Sequence, residues 1–172
     1  LIAKIDDDDW YSPHHLEDLM LAREYSSAAV VGAPVEFTYV EALDITTRRH
    51  FPSECFTDHV AGGTMLISKS DLLQLGGWRN TRSAVDRALI DAVLASGLSV
   101  YRTHGHNYMM HRRVDNSQLT AHTWKADENI FVRNVLQQWN GFQFPSQFPV
   151  VLDPVVDFAR DKEYLSYFTD AK

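Results

Sequence analysis

The chain has 172 residues, 45% hydrophobic and 23% charged, with 16 basic against 23 acidic side chains and a net charge of −7. That content suits one ordinary globular domain with a real core and excludes a disordered chain. No apolar run approaches the ~18 residues of a membrane helix, no basic-then-apolar leader opens the chain, and no Lys/Arg cluster offers a nucleic-acid surface. A single cysteine, Cys55, leaves no internal disulfide and no cysteine-built zinc site, which fits a reduced cytoplasm.

Residues 1–5 read as a short, mostly buried strand. A chain that opens on such a run leads us to expect further residues upstream of Leu1. Ser12-Pro13 signals a helix start, and a helix is predicted over about 13–25, with Leu16, Leu19, Met20 and the Arg23 stem inward. Residues 28–32 are predicted as a strand, 35–40 as a half-exposed strand, 45–50 as its hairpin partner and 51–60 as a loop. Gly62-Gly63 precedes a buried strand over 64–67. Ser68 or Ser70 then caps a short helix through Leu75, ended by Gly76-Gly77.

A second strong helix is predicted over 84–96, with Val85, Ala88, Leu89, Ala92 and Val93 on one stripe. Residues 98–103 read as a strand and 103–122, rich in His, Arg and Asn, as an irregular segment. Residues 127–139 have helical spacing, 142–149 read as an extended linker, and an amphipathic helix starts at Asp153-Pro154. Strands alternating with helices imply a three-layer α/β/α domain over residues 1–125, with 126–172 as a C-terminal helical extension.

The run Asp6-Asp7-Asp8-Asp9 directly follows the first strand. Four neighbouring carboxylates repel one another, and a hard divalent cation held by oxygens relieves them. Asp6 and Asp8, two apart, present to one side of an extended segment, while Asp7 and Asp9 point elsewhere, to a ribose or a cap. A solvated acidic turn is the competing account. Placement at a strand end, where α/β sheets bind ligands, favours the cation.

The stretch Ile5-Asp6-Asp7-Asp8-Asp9-Trp10-Tyr11-Ser12-Pro13, followed by Leu16, resembles the metal-binding acidic motif of family 2 glycosyltransferases, which have the GT-A fold. Further segments follow in that family's order. Gly62-Gly63-Thr64-Met65-Leu66-Ile67 resembles the acceptor-side glycine strand, and Leu75-Gly76-Gly77-Trp78 the turn after the short helix. Val85-Asp86 is similar to the catalytic-base position, which more often reads Glu-Asp, so Val85 departs from the pattern. Asn107-Tyr108, Arg112-Arg113 and His122-Thr123-Trp124 resemble the C-terminal end of a bacterial subgroup.

The resemblance covers roughly residues 1–125. It implies a nucleotide-diphosphate sugar donor, a hydroxyl acceptor, an Mn²⁺ or Mg²⁺ ion bridging the diphosphate, and transfer with inversion. Asp6 and Asp8 would sit at the donor and the metal, and Asp86 would be the general base. The nucleobase-binding half would lie before Leu1. A histidine after the last strand completes the metal shell or touches the diphosphate in such enzymes, a role His122 would take.

Bland alternatives accompany these assignments. Asp86 also suits a helix's first turn by the macrodipole alone. Arg112 and Arg113 offer bidentate phosphate contacts or a solvated surface. Trp10 and Trp78 stack on a sugar or pack in a core. His104 and His106 read as loop-ordering surface residues, and Phe142, Phe144 and Phe148 as anchors of the tail. A non-catalytic metal-binding interaction module, or an inactive transferase fragment, is the alternative to an enzyme. A carboxylate across the cleft from the aspartates separates the two, because a structural metal site has no use for one.

Overall fold

The computed structural model describes residues 1–80, 84–114 and 129–145. Its strands are β1 (Ile2–Ala3), β2 (Trp10–Tyr11), β3 (Val30–Gly32), β4 (Phe37–Val40), β5 (Ile45–Arg49), β6 (Cys55–Thr57), β7 (Leu66–Ile67), β8 (Val100–Arg102), β9 (Tyr108–Arg112) and β10 (Val135–Asn140). Its helices are α1 (His15–Ser26), α2 (Lys69–Gln74), α3 (Val85–Ala95) and the single turn α4 (Asn129–Val132). The strands build two five-stranded sheets, ordered β1-β7-β3-β8-β6 and β10-β5-β4-β9-β2.

Strand alternation sets the layers of the first sheet. Val30, Ile67 and Val100 pack beneath Leu72 of α2 and Leu89, Ile90 and Val93 of α3. Their chain neighbours Val31, Leu66 and Tyr101 point to the opposite face, where Leu19 and Ala22 of α1 cover them. The sheet therefore lies between helices, and the α/β class follows from this packing. None of the described helices is long and apolar enough to cross a membrane.

Three strands of the first sheet hand the chain to the second sheet: β1 to β2, β3 to β4, and β8 to β9. β3 and β8 pair in parallel, as do β4 and β9, so two of these crossings run side by side. Residues 4–9 form the third crossing, which places the aspartate run at the seam between the sheets. Ala33, Ala61 and Tyr108 are buried beneath that seam, with Tyr11, Val35 and Met110 packed against them.

Several expectations change. In α1 the buried residues are His15, Leu19 and Ala22, while Leu16 and Met20 are about half exposed. The helix begins later than Ser12-Pro13 suggests, and the Ser12 hydroxyl instead accepts the His14 N–H. β4 is nearly all buried, because β5 and β9 flank it on both sides. The expected loop over 51–60 contains β6, which pairs with β8. The irregular reading of 103–122 misses β9. Helical spacing over 127–139 survives only as α4, and Val135–Asn140 is a strand on β5 where a helical extension was expected. The helix expected from Asp153-Pro154 lies outside the described residues.

Candidate functional site

The site is built on the end of β1. The Lys4 N–H donates to the Met65 carbonyl at 2.8 Å, which prolongs the β1–β7 pairing by one step. Beyond it the chain turns, with Asp7 and Asp8 in the turn. The Asp6 N–H donates to the Tyr11 hydroxyl at 3.0 Å, and that hydroxyl donates to the Gly63 carbonyl at 2.9 Å. The acidic turn is thus bolted to the Gly62–Thr64 turn.

Two carboxylates from different elements meet one ammonium here. Lys4 Nζ lies 2.6 Å from Asp6 Oδ1 and 3.6 Å from Asp86 Oδ2. Asp86 stands in the first turn of α3. Gly62 and Gly63 make the room: a Cβ on Gly62 would run into the Asp86 carboxylate, and one on Gly63 would stand 2.7 Å from Asp6 Oδ2. A side chain at either position would have to displace these carboxylates. Burial raises the affinity of Asp86 for a proton, and the Lys4 ammonium opposes it. Asp86 Oδ1 is out of solvent and has no hydrogen-bond partner. A buried acceptor without a partner is uncommon in a native fold.

The other residues expected at the site are placed as follows. The Thr64 hydroxyl is spent internally, accepting from the Ala33 N–H and donating to the Ala61 carbonyl, each at 2.8 Å. Trp78 packs against the cluster that contains Leu89 and Ile90, and its buried Nε1–H lacks a partner. Arg112 ends β9 and stacks over the Phe131 ring at 5.8 Å. Trp10 meets Phe142 at 4.9 Å, so that phenylalanine docks its segment on the body as expected. His122 lies outside the described residues.

Asp9 has a structural duty. Its Oδ2 accepts the Tyr108 hydroxyl at 2.6 Å and its Oδ1 the His111 N–H at 2.9 Å. Burial pushes its carboxyl up to about 6 despite those donors. The bonds hold β9, and with it Arg112, beside the acidic turn. Sequence reasoning missed Lys4, Tyr11 and Tyr108. Lys4 carried one usable signal, since it stands two residues before Asp6 on an extended segment and so shares its side.

Among the described residues, no three of His, Cys, Asp and Glu stand together as a group able to hold a metal ion alone. Hard carboxylate oxygens on an open turn still fit a cation such as Mg²⁺, which takes most of its shell from water and substrate phosphates. No family model, curated protein or solved structure matches the chain.

Proposed function

We propose that the chain carries the donor-metal and acceptor half of a family 2-like glycosyltransferase domain of the GT-A type. It would move a sugar from a nucleotide-diphosphate sugar to an acceptor hydroxyl with inversion. The single observation that carries this reading is the pairing of Asp6 and Asp86 on one lysine. Transfer needs one carboxylate group at the donor and a separate one beside the acceptor, and the two elements supply them. A purely structural cation site gives no reason for Asp86. A reducing, cytoplasmic setting belongs to the same reading.

In the reaction, Asp86 takes the proton of the acceptor hydroxyl as the acceptor oxygen bonds to the anomeric carbon. The bond from that carbon to the diphosphate breaks, and its electron pair leaves with the diphosphate. Asp8, with Asp6 beside it and His122, would hold an Mn²⁺ or Mg²⁺ ion. Such an ion, when bound, supplies positive charge against the leaving diphosphate. Arg112 would add bidentate contacts to the same phosphates. Gly62 and Gly63 let the Asp86 and Asp6 carboxylates lie close against the acceptor-side turn, Thr64 braces that turn from below, and Trp78 would offer a ring face to the sugar.

Calorimetry with Mn²⁺, in the presence and absence of UDP or GDP, tests the reading. Weak binding of the ion alone and tighter binding with the nucleotide are expected, because diphosphate oxygens complete the shell. Tight Ca²⁺ binding indifferent to nucleotide would replace it with the interaction-module reading.

A further inference from the structure

We infer that Tyr25, Phe56, Tyr101 and Glu54 form a binding site for a quaternary ammonium group of the choline type. None of these residues belongs to the acidic site described above. The β6–β8 register sets Phe56 opposite Tyr101, so the two rings stand side by side on one face of the first sheet. α1 covers that face. Ala22 packs on it, and Tyr25, three residues on, brings a third ring to Tyr101. Both outer rings stand nearly perpendicular to Tyr101, Tyr25 at 5.6 Å and 84° and Phe56 at 5.3 Å and 84°. Tyr101 is buried, whereas Tyr25 and Phe56 are 60% and 61% exposed. β6 is an edge strand, which leaves the outer side of Phe56 to solvent.

Glu54 supplies the charge. Its Oε2 accepts the Tyr25 hydroxyl at 2.5 Å and the Tyr101 hydroxyl at 3.3 Å, and its Oε1 accepts the His104 N–H at 3.0 Å. All three donors are neutral, so the carboxylate keeps its negative charge beside the rings. It is held there on a left-handed backbone, φ 53°, which is uncommon for a residue with a side chain. Aromatic faces attract a cation through their quadrupole, and the carboxylate adds Coulomb attraction. Three hydrogen bonds occupy most of the lone pairs a carboxylate offers. The site therefore presents charge and apolar surface with little acceptor capacity to spare. A quaternary ammonium matches that, since it is positive, bulky and donates no hydrogen bond, whereas a lysine ammonium has three N–H groups to satisfy.

The test titrates the intact chain with choline at constant ionic strength and follows the ring proton signals of Tyr25 and Phe56. Each signal is assigned by its absence in Tyr25→Leu or Phe56→Leu. Both should move together, with half-saturation on the order of 10 mM. The neutral analogue of choline, with carbon in place of nitrogen, should bind at least about 3-fold more weakly. The two leucine variants keep apolar area and remove a ring, so each should weaken choline by about 3–30-fold. Glu54→Gln, which keeps the size and removes the charge, should weaken it as well. Both ring positions are largely exposed, so the melting temperature should hold in the leucine variants. Equal binding of choline and its neutral analogue overturns the inference and leaves only an apolar patch. Affinity unchanged in both leucine variants overturns it too, as do ring signals that stay still at tenfold the expected half-saturation. Phosphatidylcholine vesicles separate the sources of the group. Co-sedimentation that is lost in Tyr25→Leu assigns a lipid headgroup, and choline binding without co-sedimentation assigns a soluble amine.

Discussion

Asp9 and Tyr108 are joined by a 2.6 Å hydrogen bond between a partly buried carboxylate and a buried hydroxyl far apart in sequence. The bond ties the crossing from β1 to β2 onto the start of β9, since Asp9 precedes β2 and Tyr108 opens β9. Asp9→Ala would leave both the Tyr108 hydroxyl and the His111 N–H without an acceptor. Each buried donor left unpaired costs about 1–3 kcal/mol. Urea unfolding should therefore show a loss of at least that size, and Tyr108→Phe a smaller one.

Two desolvated groups at and near this bond, Asp9 and His15, give the fold opposite responses to acid. Asp9 titrates near 6 when folded, above its ordinary value, so the folded state binds the extra proton. Stability from this group is present in acid and is lost as the pH rises from about 4 to about 6. His15 is pushed down to about 4 by burial, so the unfolded chain binds its proton first. Stability from this group is full above about 6.5 and is lost as the pH falls towards 4. The wild-type dependence should be shallow where the two oppose. Relative to wild type, Asp9→Asn should gain stability on going from pH 4 to 6, and His15→Gln on going from pH 6.5 to 4. Urea midpoints for the three proteins across that range decide it, and parallel curves would refute the assignment.

Glu36 and Arg48 form a buried pair at 2.7 Å, and the second Glu36 oxygen accepts the Gly105 N–H at 3.2 Å. Removing one partner strands the other charge out of water. Glu36→Ala should cost about 3–5 kcal/mol. Glu36→Ala with Arg48→Met should recover much of it, because the stranded charge is gone. Chemical denaturation of the two singles and the double gives the coupling, and strict additivity would refute a dominant ion pair.

The layers of the first sheet were legible because apolar runs flanked by helical stripes leave few arrangements. Leu89 and Val93 pointed inward as their spacing required. The inner face of α1 was misjudged because His15, a polar residue, is buried between Tyr11 and Tyr108, and that rotates the helix away from the Leu16–Met20 stripe. β9 and β10 were missed for a related reason. Their alternation is broken by His, Arg and Gln that pair across the second sheet, and such pairing is non-local information. At the site, Asp6, Asp86, Gly62 and Gly63 were each legible as motif residues. Their convergence on Lys4 was not, because a lysine two residues from an acid is an everyday surface pattern.

Gly62 and Asp86 offer a test of that convergence that needs no substrate. A methyl group at 62 would collide with the Asp86 carboxylate. Gly62→Ala should destabilise the fold by about 1–3 kcal/mol, the usual cost of overpacking. Asp86→Ala in the same chain should remove most of that penalty, since it takes away the colliding atoms. Thermal melts of the two singles and the double measure the coupling, and a full Gly62→Ala penalty persisting in the double would show that Asp86 does not lie over that glycine.

Asp86→Asn tests the chemistry. Asparagine keeps the size of the side chain and removes the proton acceptor. If Asp86 is the base, turnover should fall by roughly 10²–10⁴-fold, the usual span for loss of a general base. Nucleotide and metal affinity should barely change, because the proposed reading gives those contacts to Asp6 and Asp8. Asp8→Asn should do the reverse, shifting the metal dependence and weakening donor binding. Stability also discriminates between the two positions. Asp86→Asn removes the carboxylate that Lys4 faces at 3.6 Å, but Lys4 retains Asp6 at 2.6 Å, so the ammonium is not stranded. The fold should therefore lose no more than about 1 kcal/mol. Near-normal turnover in Asp86→Asn, measured as nucleoside diphosphate released in the presence of acceptor, would remove Asp86 from the reaction. A large drop in turnover together with a collapsed melting temperature would instead make Asp86 a packing residue, and the first-turn carboxylate would then owe its place to the helix alone.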